Sequence, residues 1–166
     1  MVEKTQKWLP RCLGLLVFSW YALAASPGFF WFDSAELSAS AAGLGSPHPT
    51  GFPLYILLGK LASLFPIGEI AFRLNILSAV CAALAVGGVA RLIIKLGKND
   101  WPTIFGAGGG ASALALSFLF ARQATVTEVY APTAALLVLT LILFDSVARG
   151  ANASVGLTLA WVAGLG

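Results

Sequence analysis

Four stretches of this chain are too apolar and too long to be solvated by water. They run from Leu13 to Phe30, Ile70 to Leu96, Thr103 to Ala121 and Tyr130 to Val147. A helix that crosses a bilayer needs about 20 predominantly apolar residues. A chain of 166 residues, 58% hydrophobic and 10% charged, has too little polar surface to wrap four such runs in a water-soluble shell; an ordinary soluble domain is about 25% charged. The expected fold is therefore all-α: a polytopic transmembrane helical bundle with four full spans, 13–30, 70–96, 103–121 and 130–147. A fifth apolar run, 155–166, is too short to cross and reads as the start of a fifth helix. The whole is expected to be one transmembrane module forming the N-terminal part of a longer protein. The basic start "KTQKWLPR" suggests a signal peptide, but "AASPGFFWFD" is bulky where a cleavage site needs small residues, so the first span is expected to stay as an anchor.

Charge placement predicts how such a bundle would sit. With the N-terminus in the cytoplasm, Lys4, Lys7, Arg11, Arg91, Lys95, Lys98 and Arg149 are inside, and only Lys60, Arg73 and Arg122 are outside. That excess follows the positive-inside tendency. It places loop 31–69, and the turn "ARQATVTEVY", on the periplasmic or lumenal face. The net charge of +3 is thereby explained by topology and calls for no nucleic-acid partner. Cys12 and Cys81 lie within apolar runs, where a cysteine is expected to act as a small hydrophobe rather than half of a disulfide. The run "GAGGGASALAL" lacks the lysine and preceding strand of a phosphate loop, so its glycines are expected to permit close helix packing.

Against this apolar background, loop 31–69 gathers unusual chemistry. It holds Asp33 and Glu36, three apart, the only histidine, His48, and Pro47, Pro49 and Pro53. "FDSAELSASAAGLG" predicts a short surface helix with Asp33 and Glu36 on one face. The same D-x-x-E spacing also fits a capping box, with Asp33 or Ser34 as cap and Glu36 reaching back. The prolines fix an extended path that Gly51 can turn sharply. From Leu54 to Phe65 the pattern is amphipathic, suited to a second helix in the interface plane. Arg73, at the start of the second span, suits a lipid phosphate or interface anchoring. Glu128 precedes the fourth span, where it could favour a helix terminus or face the same cavity as Asp33.

Taken in order, the aromatic-D-[SG]-x-E helix, "HPTGFPLY", "RLNILSA" and "TEVYAP" resemble the N-terminal region of a polytopic membrane family. That family, formerly a domain of unknown function, is related to protein O-mannosyltransferases of the GT-C glycosyltransferase superfamily. The resemblance covers about Trp31 to Leu136. It implies an enzyme that moves a mannose-like sugar from a polyprenyl-phosphate donor to a protein or lipid acceptor on the outer face. It also implies that Asp33, with Glu36 as companion, deprotonates or orients the acceptor hydroxyl, or binds a divalent cation beside the lipid phosphate. His48, Arg73 and Glu128 match motif positions too, with His48 or Arg73 stabilising the departing phosphate. Members of that family are several times longer, so 166 residues alone are expected to be inactive. The alternative is a short, non-catalytic membrane subunit packing against a larger membrane complex. A transporter is disfavoured, since no charge falls at mid-membrane depth in the four spans.

Overall fold

The apolar runs become helices whose ends are set by Pro, Gly and Asp, as a computed structural model describing residues 1–165 shows. Among these residues are eight helices and no strand: α1 (Val2–Ala24), α2 (Asp33–Gly43), α3 (Pro53–Ser63), α4 (Ile70–Leu96), α5 (Trp101–Leu116), α6 (Phe118–Ala124), α7 (Tyr130–Ala148) and α8 (Ala153–Leu165). Asp100 caps α5 by accepting from the Thr103 N–H at 3.0 Å, with Pro102 in the first turn. Pro53 opens α3 in the same way, because the missing N–H of a first-turn proline is one that no helix uses.

The bundle is organised around α4. Its Ala71, Ala79, Ala82, Ala85 and Ala90 are fully buried, and α1, α5 and α7 pack around it. Lipid tails are as apolar as leucine, so such packing rests on close van der Waals contact rather than water exclusion. The closest approaches are at glycines. A methyl group at Gly87 would lie 2.9 Å from the Pro10 carbonyl oxygen of α1, and one at Gly88 would lie 2.5 Å from Val138 of α7. Substituting either would force helices apart or side chains to shift. The predicted packing role of 106–110 is not met in the same measure. Gly106, Gly108 and Gly109 face open space, and α5 instead buries Ala107, Ala111 and Ala115, four residues apart on one face.

Long-range hydrogen bonds define two ends of the bundle. At one end Gln6 donates to the Lys98 carbonyl at 2.9 Å, Lys95 pairs with Asp145 at 3.0 Å, and Arg149 donates to the Lys95 carbonyl at 3.3 Å. At the other end the Ser26 N–H donates to the Thr125 carbonyl at 3.0 Å, and Asn75 donates to the Ser26 carbonyl at 2.8 Å. Lys4, Lys7, Arg11, Arg91, Lys95, Lys98 and Arg149 all lie toward the first end, here the basic end.

The outer surface is that of a membrane protein. Leu23, Phe32, Phe118, Leu157 and Phe105 are each more than two-thirds exposed. Two helices, α4 and α7, are long and apolar enough to cross a bilayer, and they match the predicted spans 70–96 and 130–147 closely. The other two predicted spans need correction. The run 13–30 is not the helix predicted: α1 begins at Val2, ends at Ala24 ahead of Ser26-Pro27-Gly28, and extends from the basic end of the bundle to the opposite one. Its N-terminal half carries Glu3, Lys4, Lys7 and Arg11, so the apolar part, Cys12 to Ala24, reaches only about 20 Å. The run 103–121 is broken at Ser117, where α5 and α6 meet at 68°; together they make at most one broken span. By length and apolar composition, two or three helices qualify as spans in place of the expected four. Helix α8, 13 residues long, occupies the expected fifth run, whose last residue, Gly166, lies outside the described residues. Cys81 is buried in the core as expected, whereas Cys12 is exposed.

Candidate functional site

Helices α2 and α3 form between α1 and α4, as the segment's composition predicts, and pack on each other and on α4. Leu37 and Ala41 of α2 meet Tyr55 and Ile56 of α3 over Leu74 of α4. The fit is tight: a methyl group at Gly59 would lie 2.7 Å from the Ala41 Cβ. Burying that face leaves Asp33 and Glu36 exposed on the other. Lys60 ties the pair further by donating to the Ala42 carbonyl at 2.6 Å, at the C-terminal end of α2, where a cation is favoured. Three non-glycine residues with positive φ bracket these helices: Phe32 (64°), Leu44 (54°) and Phe52 (44°). Each such residue costs about 1–3 kcal/mol and persists only where surrounding packing imposes it.

The capping box does not form. Phe32 occupies the cap position of α2, and no side chain bonds there. Glu36 instead reaches across to the proline-rich loop. Its Oε1 accepts from the His48 backbone N–H at 2.8 Å, and its Oε2 lies 2.8 Å from His48 Nδ1. The loop presents His48 through a tight turn closed by the Gly51 N–H donating to the His48 carbonyl at 2.9 Å. Gly51 there has φ of 82°, the turn its sequence position suggested. The His48 ring also stands edge-on to Phe52, with centroids 5.6 Å apart.

These contacts set the electrostatics. Its two hydrogen bonds to His48 hold the Glu36 carboxyl below the usual value. The bond to Glu36 raises His48, despite partial desolvation, and the nearby charges of Glu36, Asp33 and Glu128 add to the rise. Glu128 is pushed up, first by burial and then by the negative charge of Asp33. The charges of Asp33 and Glu128 thus reach His48, and those of Asp33 and His48 reach Glu128, which places the four residues at one mouth of the bundle. Asp33, Glu36 and His48 each offer one ligand atom, all within 4.8 Å of one another. Two carboxylate oxygens and an imidazole nitrogen fit a divalent cation by donor type and spacing.

Arg73 is engaged elsewhere. Its guanidinium donates to the carbonyls of Ser63, Ile67 and Gly68, closing the C-terminal end of α3. Those bonds occupy three donors that a phosphate would need.

Beneath the group lies a polar layer that motif reading passed over. Asn75 is fully buried in α4 and donates to the carbonyls of Ser26 and Gly28 at 2.8 and 3.2 Å. It also accepts from the buried Thr127 hydroxyl at 2.7 Å. One side chain thus pins the segment leading to Asp33 and the segment leading to Glu128. A lone asparagine in an alanine-rich helix was the available signal. Close by, the Tyr55 hydroxyl is buried, and burial raises its pKa. The hydroxyls of Ser34, Ser38, Ser78 and Tyr55 are buried with no hydrogen-bond partner among the described residues.

From this mouth an apolar cavity of about 480 Å³ runs between α3, α4 and α7. Thr50, Phe52 and Val129 line its entrance and Ile142 its far end. Along α7 that is about 20 Å.

Residues 33–166 match a protein family described as the protein O-mannosyl-transferase TMEM260 N-terminal domain. Over 77 residues the chain is 38% identical to the protein O-mannosyl-transferase TMEM260 of Mus musculus. That alignment covers 46% of this chain and 11% of the mouse protein, so the chain spans only a small part of its relative's length. No solved structure matches the chain.

Proposed function

The chain belongs to the family of the protein O-mannosyl-transferase TMEM260 N-terminal domain, and from that premise we propose that it is the N-terminal module of a membrane glycosyltransferase. It moves a mannose-like sugar from a polyprenyl-phosphate donor to a protein or lipid acceptor on the outer face, with the N-terminus of the chain in the cytoplasm. The observation that carries this reading is the union of a charged cluster and an apolar cavity. Phe52 belongs to both: it stands against the His48 ring and lines the cavity entrance. A ligand with a phosphate head and a hydrocarbon tail has both chemistries in the same order.

In this reading Asp33 is the general base. Its carboxylate is exposed and makes no hydrogen bond among the described residues, whereas that of Glu36 is engaged with His48. An acceptor hydroxyl gives its proton to Asp33 as its oxygen bonds to the sugar's anomeric carbon. The bond from that carbon to the phosphate oxygen breaks, and the phosphate leaves with the electron pair. Glu36 favours the protonated form of His48, which then places positive charge where the leaving phosphate gains negative charge. Arg73 acts through the end of α3 rather than on the donor. With His48 neutral instead, Asp33, Glu36 and His48 would hold a divalent cation, which would take over from the imidazolium in neutralising part of the donor's phosphate charge.

The test is Asp33→Asn in the protein at its natural length, assayed for transfer from polyprenyl-phosphate mannose to a Ser/Thr peptide. Losing a general base costs roughly 10²–10⁴-fold in rate. Asparagine keeps size and polarity, so thermal unfolding should be unchanged. Full transfer by the variant removes Asp33 from the chemistry. Absence of transfer in the parent protein turns the reading to the non-catalytic subunit of a larger membrane complex.

A further inference from the structure

A second cavity lies at the opposite end of the bundle from the candidate site. It has a volume of about 630 Å³ and runs between α1 and α4, within the 300–1,000 Å³ range of small-ligand sites. Gly14 and Gly87, where α1 and α4 approach each other closely, form its floor; Leu15, Phe18 and Leu84 make its apolar walls. Arg11 and Arg91 line it as well. We propose that this groove binds an anionic phospholipid, its phosphate held between Arg11 and Arg91 and an acyl chain laid along α1 and α4.

Three observations converge on that occupant. The first is charge. Among the described residues the ion pairs are Glu36–His48, Lys95–Asp145 and Arg149–Asp145, so neither Arg11 nor Arg91 has an acid partner. Of the acids at this end, Asp145 serves Lys95 and Arg149, and Asp100 caps α5. Seven basic residues against three acids give this end a field that attracts anionic lipid.

The second is depth. Arg91 is 18 residues beyond Arg73 on α4, or about 27 Å along the axis. A bilayer's hydrocarbon core is about 30 Å thick, so with Arg73 near one interface Arg91 lies at headgroup level of the other. The third is preorganisation. Arg11 is steadied by donating to the Lys7 carbonyl at 2.9 Å and by lying 5.3 Å over the Trp8 ring. Its remaining donors are left for an oxyanion. A phosphate takes two guanidinium groups in good geometry, and the groove between them takes hydrocarbon. A free phosphate would use only the first half of that site.

The experiment uses the protein at its natural length, purified and stripped of lipid. It is then offered equal amounts of phosphatidylglycerol and phosphatidylcholine with identical acyl chains, and retained lipid is read by native mass spectrometry. Phosphatidylglycerol should be retained in preference. Arg11→Gln with Arg91→Gln should lower its retention roughly 30-fold, since each basic residue near a charged headgroup is worth about fivefold. Both arginines are exposed, and unchanged thermal unfolding confirms that the variant folds. Leu15→Trp, which fills the groove and leaves both arginines, should also lower retention. Glycerol phosphate, which carries the charge without the tails, should not displace the lipid. Equal retention of the two lipids, or a preference that survives the double substitution, overturns the proposal. So does an equal loss in Lys4→Gln with Lys98→Gln, which would reduce the effect to diffuse charge. Failure to retain either lipid would mean that protein fills the groove, and this too overturns it. No outcome here depends on whether the opposite end transfers sugar.

Discussion

Asn75 is the side chain whose loss should be felt most widely for its size. Asn75→Ala removes bonds of 2.8 and 3.2 Å to the Ser26 and Gly28 carbonyls and one of 2.7 Å from Thr127. Side-chain hydrogen bonds within membrane proteins average about 0.6 kcal/mol, with a maximum near 1.7. Three of them, with their partners left buried, should therefore cost about 2 kcal/mol. Thr127→Val removes one of the three while keeping the shape, and should cost about 1 kcal/mol. Because the two substitutions delete the same Asn75–Thr127 bond, their effects should not add. The double variant should fall short of the sum by about 0.5–1 kcal/mol. The assay is equilibrium unfolding of all four proteins in one detergent, compared as a double-mutant cycle. Strict additivity, or a loss below about 0.5 kcal/mol in Asn75→Ala, would show that this layer does not hold the two segments together.

Two further outcomes follow from the same end of the molecule. Glu36→Gln keeps one acceptor oxygen for His48 but deletes the charge, so the His48 titration followed by NMR should fall back toward its ordinary value; an unmoved titration refutes the pairing. The sign for stability is fixed by the directions. His48 is raised on folding, so its contribution is complete below the ordinary histidine value and fades as pH climbs through the raised one. Glu36 is lowered, so its contribution fades only as pH falls through that lowered value. The parent protein should thus lose stability on the alkaline side more than Glu36→Gln does. For orientation, cysteines at the exposed positions Ser46 and Asn99, in a background with Cys12 and Cys81 replaced, should label oppositely. An impermeant reagent on intact cells should reach Ser46→Cys and not Asn99→Cys; the reverse pattern inverts the topology.

The parts of this fold that were legible in sequence are those fixed locally. The helices α4 and α7 are uninterrupted apolar runs bounded by Glu69, Gly97 and Gly150, and their predicted limits agree with the structure within a residue or so. Helix α1 was misread because hydropathy alone carried it through Pro27 and Gly28, where backbone chemistry ends it. The break at Ser117 had no local signal at all. What accommodates it is long-range: the Tyr21 hydroxyl donates to the Ala115 carbonyl at 2.6 Å, satisfying an acceptor that the end of α5 sets free. A contact between residues 94 apart leaves no mark on a sliding window. At the site, the grouping of Asp33, Glu36, His48 and Glu128 could be inferred from motif order. What each would bond to could not, since Glu36 had two geometrically sound partners and only the folded loop selects His48. Arg73 was assigned by charge, yet the carbonyls at the end of α3 hold it first.

The bend between α5 and α6 has a consequence best put as parity. Two residues share a face of a membrane only if the chain between them crosses it an even number of times. The charge of Asp33 reaches Glu128 and Thr127 bonds Asn75 beside the segment leading to Asp33, so in a bilayer these two acids would share a face, with α4 as one crossing between them. On that placement the second would be the broken helix. Were α5–α6 a re-entrant loop that dips and returns, Glu128 would emerge about 30 Å away on the far side of the hydrocarbon. Thr127 could then never reach Asn75. On this placement the kink at Ser117 would interrupt a passage without cancelling it, and shortening α6 enough to abort that passage would divide the acidic group between two compartments.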